Sequence, residues 1–202
     1  MLLSINSEHP EPRKIQRAVQ VIENGGVIAY PTDTVYGLGC DLHNRGAIER
    51  LYQLKGMDRK KPLAFICADL SNIAKFALVD NQTYRVLKHF LPGPYTFILK
   101  ASRDVPRFFV QTKQKTVGIR VPDHPVTHAL VEALGRPLIN TTASEADGEP
   151  IADPWTIDAT FPSLDLVLEA DVCGIVPTTV VDLSSGEVEV VREGAGAVDE
   201  LV

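Results

Sequence analysis

The chain has 202 residues, of which 45% are hydrophobic and 23% charged, with a formal net charge of −6; this balance fits one sizeable core and excludes disordered and collagen-like classes. No apolar run approaches the roughly 18 residues of a membrane span and the N-terminus carries no charged-then-apolar leader, which predicts a cytoplasmic protein without a membrane partner. Cys40, Cys67 and Cys173 show no CxxC spacing, and His124 and His128 lack the glutamate that a zincin helix places between its histidines, so neither a disulfide framework nor a metal site is expected.

Pro12 to Asn24 places Ile15, Ala18, Val19 and Ile22 on one helical face, and Gly25 follows where a left-handed cap belongs. Val27 to Tyr30 reads as a short buried strand. Pro31 ends it, because proline has no N–H to give to a central strand and holds Tyr30 extended. Thr32, Asp33, Thr34 and Tyr36 then supply a dense set of donors and acceptors, while Gly37 and Gly39 let backbone approach a ligand. Ligands of open α/β sheets bind at the carboxyl edge of strands, which makes this stretch the first site candidate. By composition it is also an ordinary polar turn, with Asp33 and Thr34 capping their own backbone.

Asn44 is the N-cap of a helix through Ala47, Ile48, Leu51 and Leu54 that delivers Lys55 and then Arg59, Lys60 and Lys61 to the following loop. Leu63 to Cys67 is a buried strand, Asp69 caps a short helix through Ile73 and Phe76, and Tyr84 to Leu91 is a helix stopped by Pro92-Gly93-Pro94. Tyr95 to Leu99 and Thr116 to Val121 are strands, with a basic flap from Lys100 to Lys115 between them. His124 to Leu134 is a helix ended by Gly135. Pro137 to Ile139 opens a strand that runs into the hydroxyl-rich Thr141, Thr142 and Ser144, again a ligand edge. An exposed loop from Glu145 leads to Pro154 in the first turn of a short helix. Leu166 to Leu168, Thr179 to Leu183 and Glu187 to Arg192 are closing strands, and Gly194 to Val202 a tail.

Charge is unevenly spread: residues 45 to 120 carry fifteen Lys/Arg against five Asp/Glu, and residues 121 to 202 two against sixteen. A basic middle in an acidic protein points to a local anionic ligand such as nucleotide phosphate or a tRNA backbone, or else to blocks that interleave into a mixed surface.

Several motifs carry a resemblance. YPTDTVYGLGC, Lys55-Gly56-Met57-Asp58-Arg59 with Lys61-Pro62-Leu63, LPGPYTFIL, VGIRVPDHP, the hydroxyl run Thr141 to Ser144, PTTVVDL and VREGAG stand in the order seen in the YrdC/Sua5/YciO family. The chain resembles that family from about Gly26 to Gly196, most of all its YciO branch, without the extra C-terminal domain of longer Sua5 members; one domain over 1–202 is expected. The resemblance implies an α/β fold with a twisted, mixed open sheet flanked by helices and a basic concave surface. It also implies the synthesis of L-threonylcarbamoyl-AMP from L-threonine, bicarbonate and ATP with Mg2+, releasing pyrophosphate, as the first step toward the t6A modification of tRNA. A second class is a non-catalytic module of the same fold that binds tRNA or double-stranded RNA, and a third an enzyme acting on another carbamoyl or adenylate substrate.

By motif position, Thr32, Thr34 and Tyr36 would line the threonine side, Lys55 and Arg59 would face carboxylate, carbamate or phosphate, and Arg120 would hold the threonine carboxylate. Thr142 and Ser144 would contact the nucleotide and Arg192 the ATP phosphates. Two positions depart from the synthase pattern: Met57 replaces the arginine of Lys-x-Arg, and Ser144 the asparagine of Ser-x-Asn.

Overall fold

Val27 and Ala29 point into one buried layer and Ile28 and Tyr30 into another, because successive residues of a strand face opposite sides. The strand is therefore covered on both faces. In the computed structural model, which describes residues 1–106, 108, 109, 115–145 and 148–201, it lies inside one sheet of ten strands among the described residues. In chain order these are β1 Leu2–Ser4, β2 Ile28–Tyr30, β3 Gly37–Asp41, β4 Ala64–Ile66, β5 Tyr95–Lys100, β6 Thr116–Arg120, β7 Leu138–Thr142, β8 Leu166–Glu169, β9 Thr179–Asp182 and β10 Glu189–Arg192. Across the sheet they run β1-β8-β2-β3-β7-β4-β6-β5-β9-β10. The pairs β1/β8, β2/β8, β4/β6 and β5/β9 are parallel and the other neighbours antiparallel, so the open sheet is mixed, as expected.

Helices α1 Pro12–Glu23, α2 Arg45–Lys55, α3 Leu70–Phe76, α4 Asn81–Phe90, α5 Pro125–Leu134 and α6 Pro154–Thr160 flank it. α1 and α5 bury Ile15, Ile22, Leu130 and Leu134 against Ile28, Tyr30, Ile66 and Leu138 on one face. α2, α3, α4 and α6 bury Leu51, Ile73, Leu87 and Ile157 against Phe65, Phe97, Ile119 and Ile139 on the other. Local chemistry sets the helix starts: the Asn44 side chain accepts from Ala47 N–H at 3.0 Å, and that of Asp69 from Asn72 N–H at 2.8 Å.

Several boundaries differ from the sequence reading. Gly37 and Gly39, read as letting backbone approach a ligand, lie in β3, an antiparallel partner of β2 and β7. Its glycines are needed because the Tyr30 ring lies over them; a Cβ on Gly39 would stand 2.9 Å from Tyr30 Cε1. β1 was not read at all, being a three-residue edge strand. α4 starts at Asn81 because Asp80 accepts from Thr83 N–H at 2.7 Å, one turn before Tyr84. The strand begun at Leu138 continues through Thr141 and Thr142. The tail from Gly194 is anchored: Thr179 Oγ1 donates to Gly196 O at 2.6 Å, Tyr95 Oη to Ala197 O at 2.9 Å, and Leu201 is buried. The flap expected over Lys100 to Lys115 falls in part outside the described residues; within them Phe109 packs on Phe65, ring centroids 5.3 Å apart.

Candidate active site

Beyond Pro31 the chain turns back over the sheet, its carbonyl at Pro31 accepting from the Thr127 hydroxyl of α5. Thr32 holds the turn: its Oγ1 accepts from Thr34 N–H and Val35 N–H, each at 3.2 Å, and donates to Val35 O. The capping side chain is thus that of Thr32, and the expectation that Asp33 and Thr34 cap the turn is corrected. Asp33 and Thr34 face Arg120 instead, the last residue of β6. Arg120 Nη2 donates to Thr32 Oγ1 at 3.0 Å and Thr34 Oγ1 at 2.8 Å and forms an ion pair with Asp33 Oδ1. Arg120 is only 4% exposed.

This cluster is unevenly satisfied. One NH2 group, with two hydrogens, serves three acceptors, while Arg120 Nε and Asp33 Oδ2 are both buried and, among the described residues, without a hydrogen-bond partner. Each unpaired buried polar group costs about 1–3 kcal/mol. Around it, Cys173 Sγ lies 3.5 Å from Thr32 O, and burial pushes its pKa up to about 11, so it stands as a thiol. His124 caps α5 through Nδ1, which accepts from Val126 N–H at 3.2 Å; burial lowers its pKa against the opposing pull of Asp33, Asp171 and Asp123. Tyr36 is fully buried, its hydroxyl donating to Asp171 O at 3.1 Å and accepting from Ala170 N–H at 3.2 Å.

The Tyr36 carbonyl accepts from Ala143 N–H at 2.8 Å and so ties this cluster to a second one. Lys55 closes α2 just before Gly56, whose φ of 58° turns the chain away. Lys55 Nζ donates to both the carbonyl and the hydroxyl of Ser144, each at 2.6 Å, and lies 5.6 Å from the Phe161 ring centroid. Burial, helped by the charge of Lys61, brings its pKa down to about 8. Thr142 lies opposite Gly37 in the β3–β7 ladder, and the Thr141 hydroxyl reaches Met57 Sδ at 3.7 Å.

The structure therefore brings Thr32, Thr34 and Arg120 into one bonded group and Lys55 and Ser144 into another, with Thr142 and Tyr36 at their junction. Two expected members stand apart. Arg59 pairs with Glu49 at 2.6 Å and its side chain is 65% exposed. Glu49 and Lys55 are six positions apart on α2, about 120° around the helix axis, so the two cations point different ways. Arg192, on β10, donates to Thr178 O at 2.9 Å, and Thr178 in turn bonds Thr96 at 2.8 Å. Asp33, counted in the sequence among the donors and acceptors of this stretch but given no ligand role by motif position, is the added member of the cluster. Its position between two site threonines was the available signal, but its partner lies 87 positions along the chain.

The chain matches the Sua5_yciO_yrdC family profile, described as Telomere recombination, over residues 20–194. It is 40% identical over 196 residues to YciO of Escherichia coli (strain K12), covering 96% of this chain and 95% of that protein. The crystal structure of E. coli YciO superposes with a TM-score of 0.95 at 38% identity, over 100% of this chain and 99% of that one. A threonylcarbamoyl-AMP synthase of Nitrosococcus oceani is 37% identical over 157 residues, 77% of this chain and 84% of the synthase. P. abyssi Sua5 complexed with L-threonine superposes with a TM-score of 0.92 at 26% identity, over 100% of this chain and 59% of Sua5.

Proposed function

Because the chain belongs to the Sua5/YciO/YrdC family, we propose that it is an L-threonylcarbamoyladenylate synthase, or a low-activity relative of one, that converts L-threonine, bicarbonate and ATP into threonylcarbamoyl-AMP and pyrophosphate. The observation that carries this reading is the buried Arg120 fork lined by the hydroxyls of Thr32 and Thr34, in a chain similar both to a synthase and to a Sua5 that was solved with L-threonine. In tRNA modification the product would serve the t6A pathway.

The chemistry asks for positioning and cations rather than a protein nucleophile. The α-ammonium of threonine gives up a proton to solvent and the free amine combines with bicarbonate to give a carbamate and water; a carbamate oxygen then attacks the α-phosphorus of ATP, and the bond from that phosphorus to the oxygen bridging to the β-phosphorus breaks to release pyrophosphate. Arg120 matches a carboxylate with its planar fork. Lys55, held by Ser144 just past the end of β7, supplies a cation where phosphoryl or carbamate charge develops. Ser144 keeps a role despite its departure from the synthase pattern, since its hydroxyl and carbonyl aim that ammonium. Arg59 and Arg192 would act on phosphate only after leaving Glu49 and Thr178. Mg2+ would enter with ATP to offset phosphate charge, and no step is assigned to it.

The test is pyrophosphate release from ATP with L-threonine and bicarbonate present together and singly withheld. Release that needs all three reactants supports the reading; release indifferent to threonine, or none at all, overturns it.

A further inference from the structure

Arg120 Nε and Asp33 Oδ2 are a donor and an acceptor that share one ion pair, are both buried, and are both unpaired among the described residues. A symmetrical carboxylate–guanidinium fork would have paired them with each other, but Nη2 also serves Thr32 and Thr34 and the fork is slipped. A ligand that relieves both atoms must bring an acceptor and a donor side by side. A simple carboxylate brings only acceptors, which would leave Asp33 Oδ2 facing like charge. An α-amino acid brings both, with its carboxylate next to its ammonium.

We propose that Asp33 is a specificity-determining residue that receives the α-ammonium of the substrate while Arg120 holds its carboxylate, so that the site selects zwitterionic α-amino acids over acids of the same skeleton without the amine. The choice of threonine as probe rests on the synthase reading. The surroundings fit: the Asp33 side chain is in ion-pair contact with Arg120 and only 11% exposed, so the pair is little screened by water.

The test is a two-by-two comparison by titration calorimetry of wild type and Asp33→Asn, each with L-threonine and with 3-hydroxybutanoate, its deaminated counterpart. Wild type should prefer threonine by about ten- to a hundredfold, the range for a charge-assisted hydrogen bond. Asp33→Asn should lose most of that preference, and Asp33→Glu should restore part of it. Unfolding midpoints for both variants verify that the site is still built. Tighter binding of both ligands to Asp33→Asn would overturn the proposal, because Asp33 would then only be competing for Arg120. Equal wild-type affinity for the two ligands would overturn it as well while leaving the synthase reading standing. Binding of another α-amino acid, such as L-serine, in an Asp33-dependent way without binding of threonine would keep the proposal and overturn the synthase reading; binding of no amino acid overturns both.

Discussion

Arg120 and Lys55 are both cations in the candidate site, yet they are held in opposite ways and should fail in opposite ways. Arg120 is buried against Asp33, so Arg120→Ala leaves a carboxylate in a dry place with no counter-charge, a change that costs about 3–5 kcal/mol. Denaturant unfolding should show that loss, and Arg120→Ala combined with Asp33→Ala should recover a good part of it; a fully stable single variant would mean that the pair is not buried as described. Lys55 has no carboxylate partner among its hydrogen bonds, only the two oxygens of Ser144, and burial has brought its pKa to about 8. The protonated form is the useful one for anionic reactants, and it is present below that value. Threonine-dependent kcat/KM is therefore expected to fall as pH rises through about 8. Lys55→Arg should carry the falling limb to higher pH even though its rate is lower, and a limb that stays put in that variant would assign it to another group. The same depression has a stability consequence with the same sign throughout: the folded chain gives up this proton before the unfolded chain does, so this group's contribution to stability grows from pH about 8 toward 10.5.

At the scale of elements, β3 shows where sequence reading stops. Helix starts at Asn44, Asp69 and Pro154 were legible because a cap acts over three or four residues, and strands β2, β4, β5 and β6 because apolar residues dominate a short window. Gly37-Leu38-Gly39 carries little intrinsic strand preference. What makes it a strand is tertiary: the Tyr30 ring of the neighbouring strand lies across both glycines, with its hydroxyl donating to Asn140 Oδ1 at 2.6 Å. The first site cluster was half legible for the same reason. Thr32, Thr34 and Arg120 stand out as motif members, but only the folded chain pairs Asp33 with Arg120 and moves Arg59 over to Glu49. Gly37→Ala is the sharp check on β3. A Cβ there runs into Asn140 Oδ1 and lies 3.0 Å from Tyr30 Cζ, so it must break the Tyr30–Asn140 bond and spread β2 from β7. A loss of about 1–3 kcal/mol is expected, together with a drop in any threonine-dependent activity, since Gly37 pairs with Thr142 at the junction of the two clusters. Gly186→Ala is the control, at a turn where no atom of the described residues lies within 4 Å of the added carbon; its φ of 95° makes it strained, so both variants lose stability and only the first should lose activity.

At the scale of the whole molecule, the basic stretch of the sequence forms neighbouring elements of the fold. The segment from 45 to 120, with fifteen Lys/Arg against five Asp/Glu, supplies α2, α3 and α4, which all pack on one face of the sheet, and its strands β4, β6 and β5 lie side by side. The acidic remainder is divided: α5 lies on the opposite face, α6 on the same face as α2, α3 and α4, β8 on one side of the basic strands, and β9 and β10 on the other. Folding thus brings the basic helices and strands next to one another, while α6 on the same face and the 3.0 Å ion pair of Arg50 with Asp165 bring acidic groups among them. Arg59 is neutralised by Glu49, but Lys60 and Lys61 are exposed in the loop that follows α2. Exposed lysines of this kind would suit a polyanion, and a tRNA substrate for the downstream modification is the partner that the synthase reading would bring. Association with tRNA or double-stranded RNA is therefore expected to weaken steeply with salt. In Lys60→Glu with Lys61→Glu the slope of log K against log salt should flatten by about 1 for each lysine that touches a phosphate. Lys61 has a second readout that separates the two roles of this loop. Its charge helps to lower the pKa of Lys55, so reversing it should move the falling limb of the pH–rate profile upward, whether or not RNA binds. A flattened slope with a shifted limb places the loop between nucleic acid and site; a shifted limb alone confines it to the chemistry of Lys55; and RNA affinity that ignores salt would mean that these lysines are not what holds the RNA.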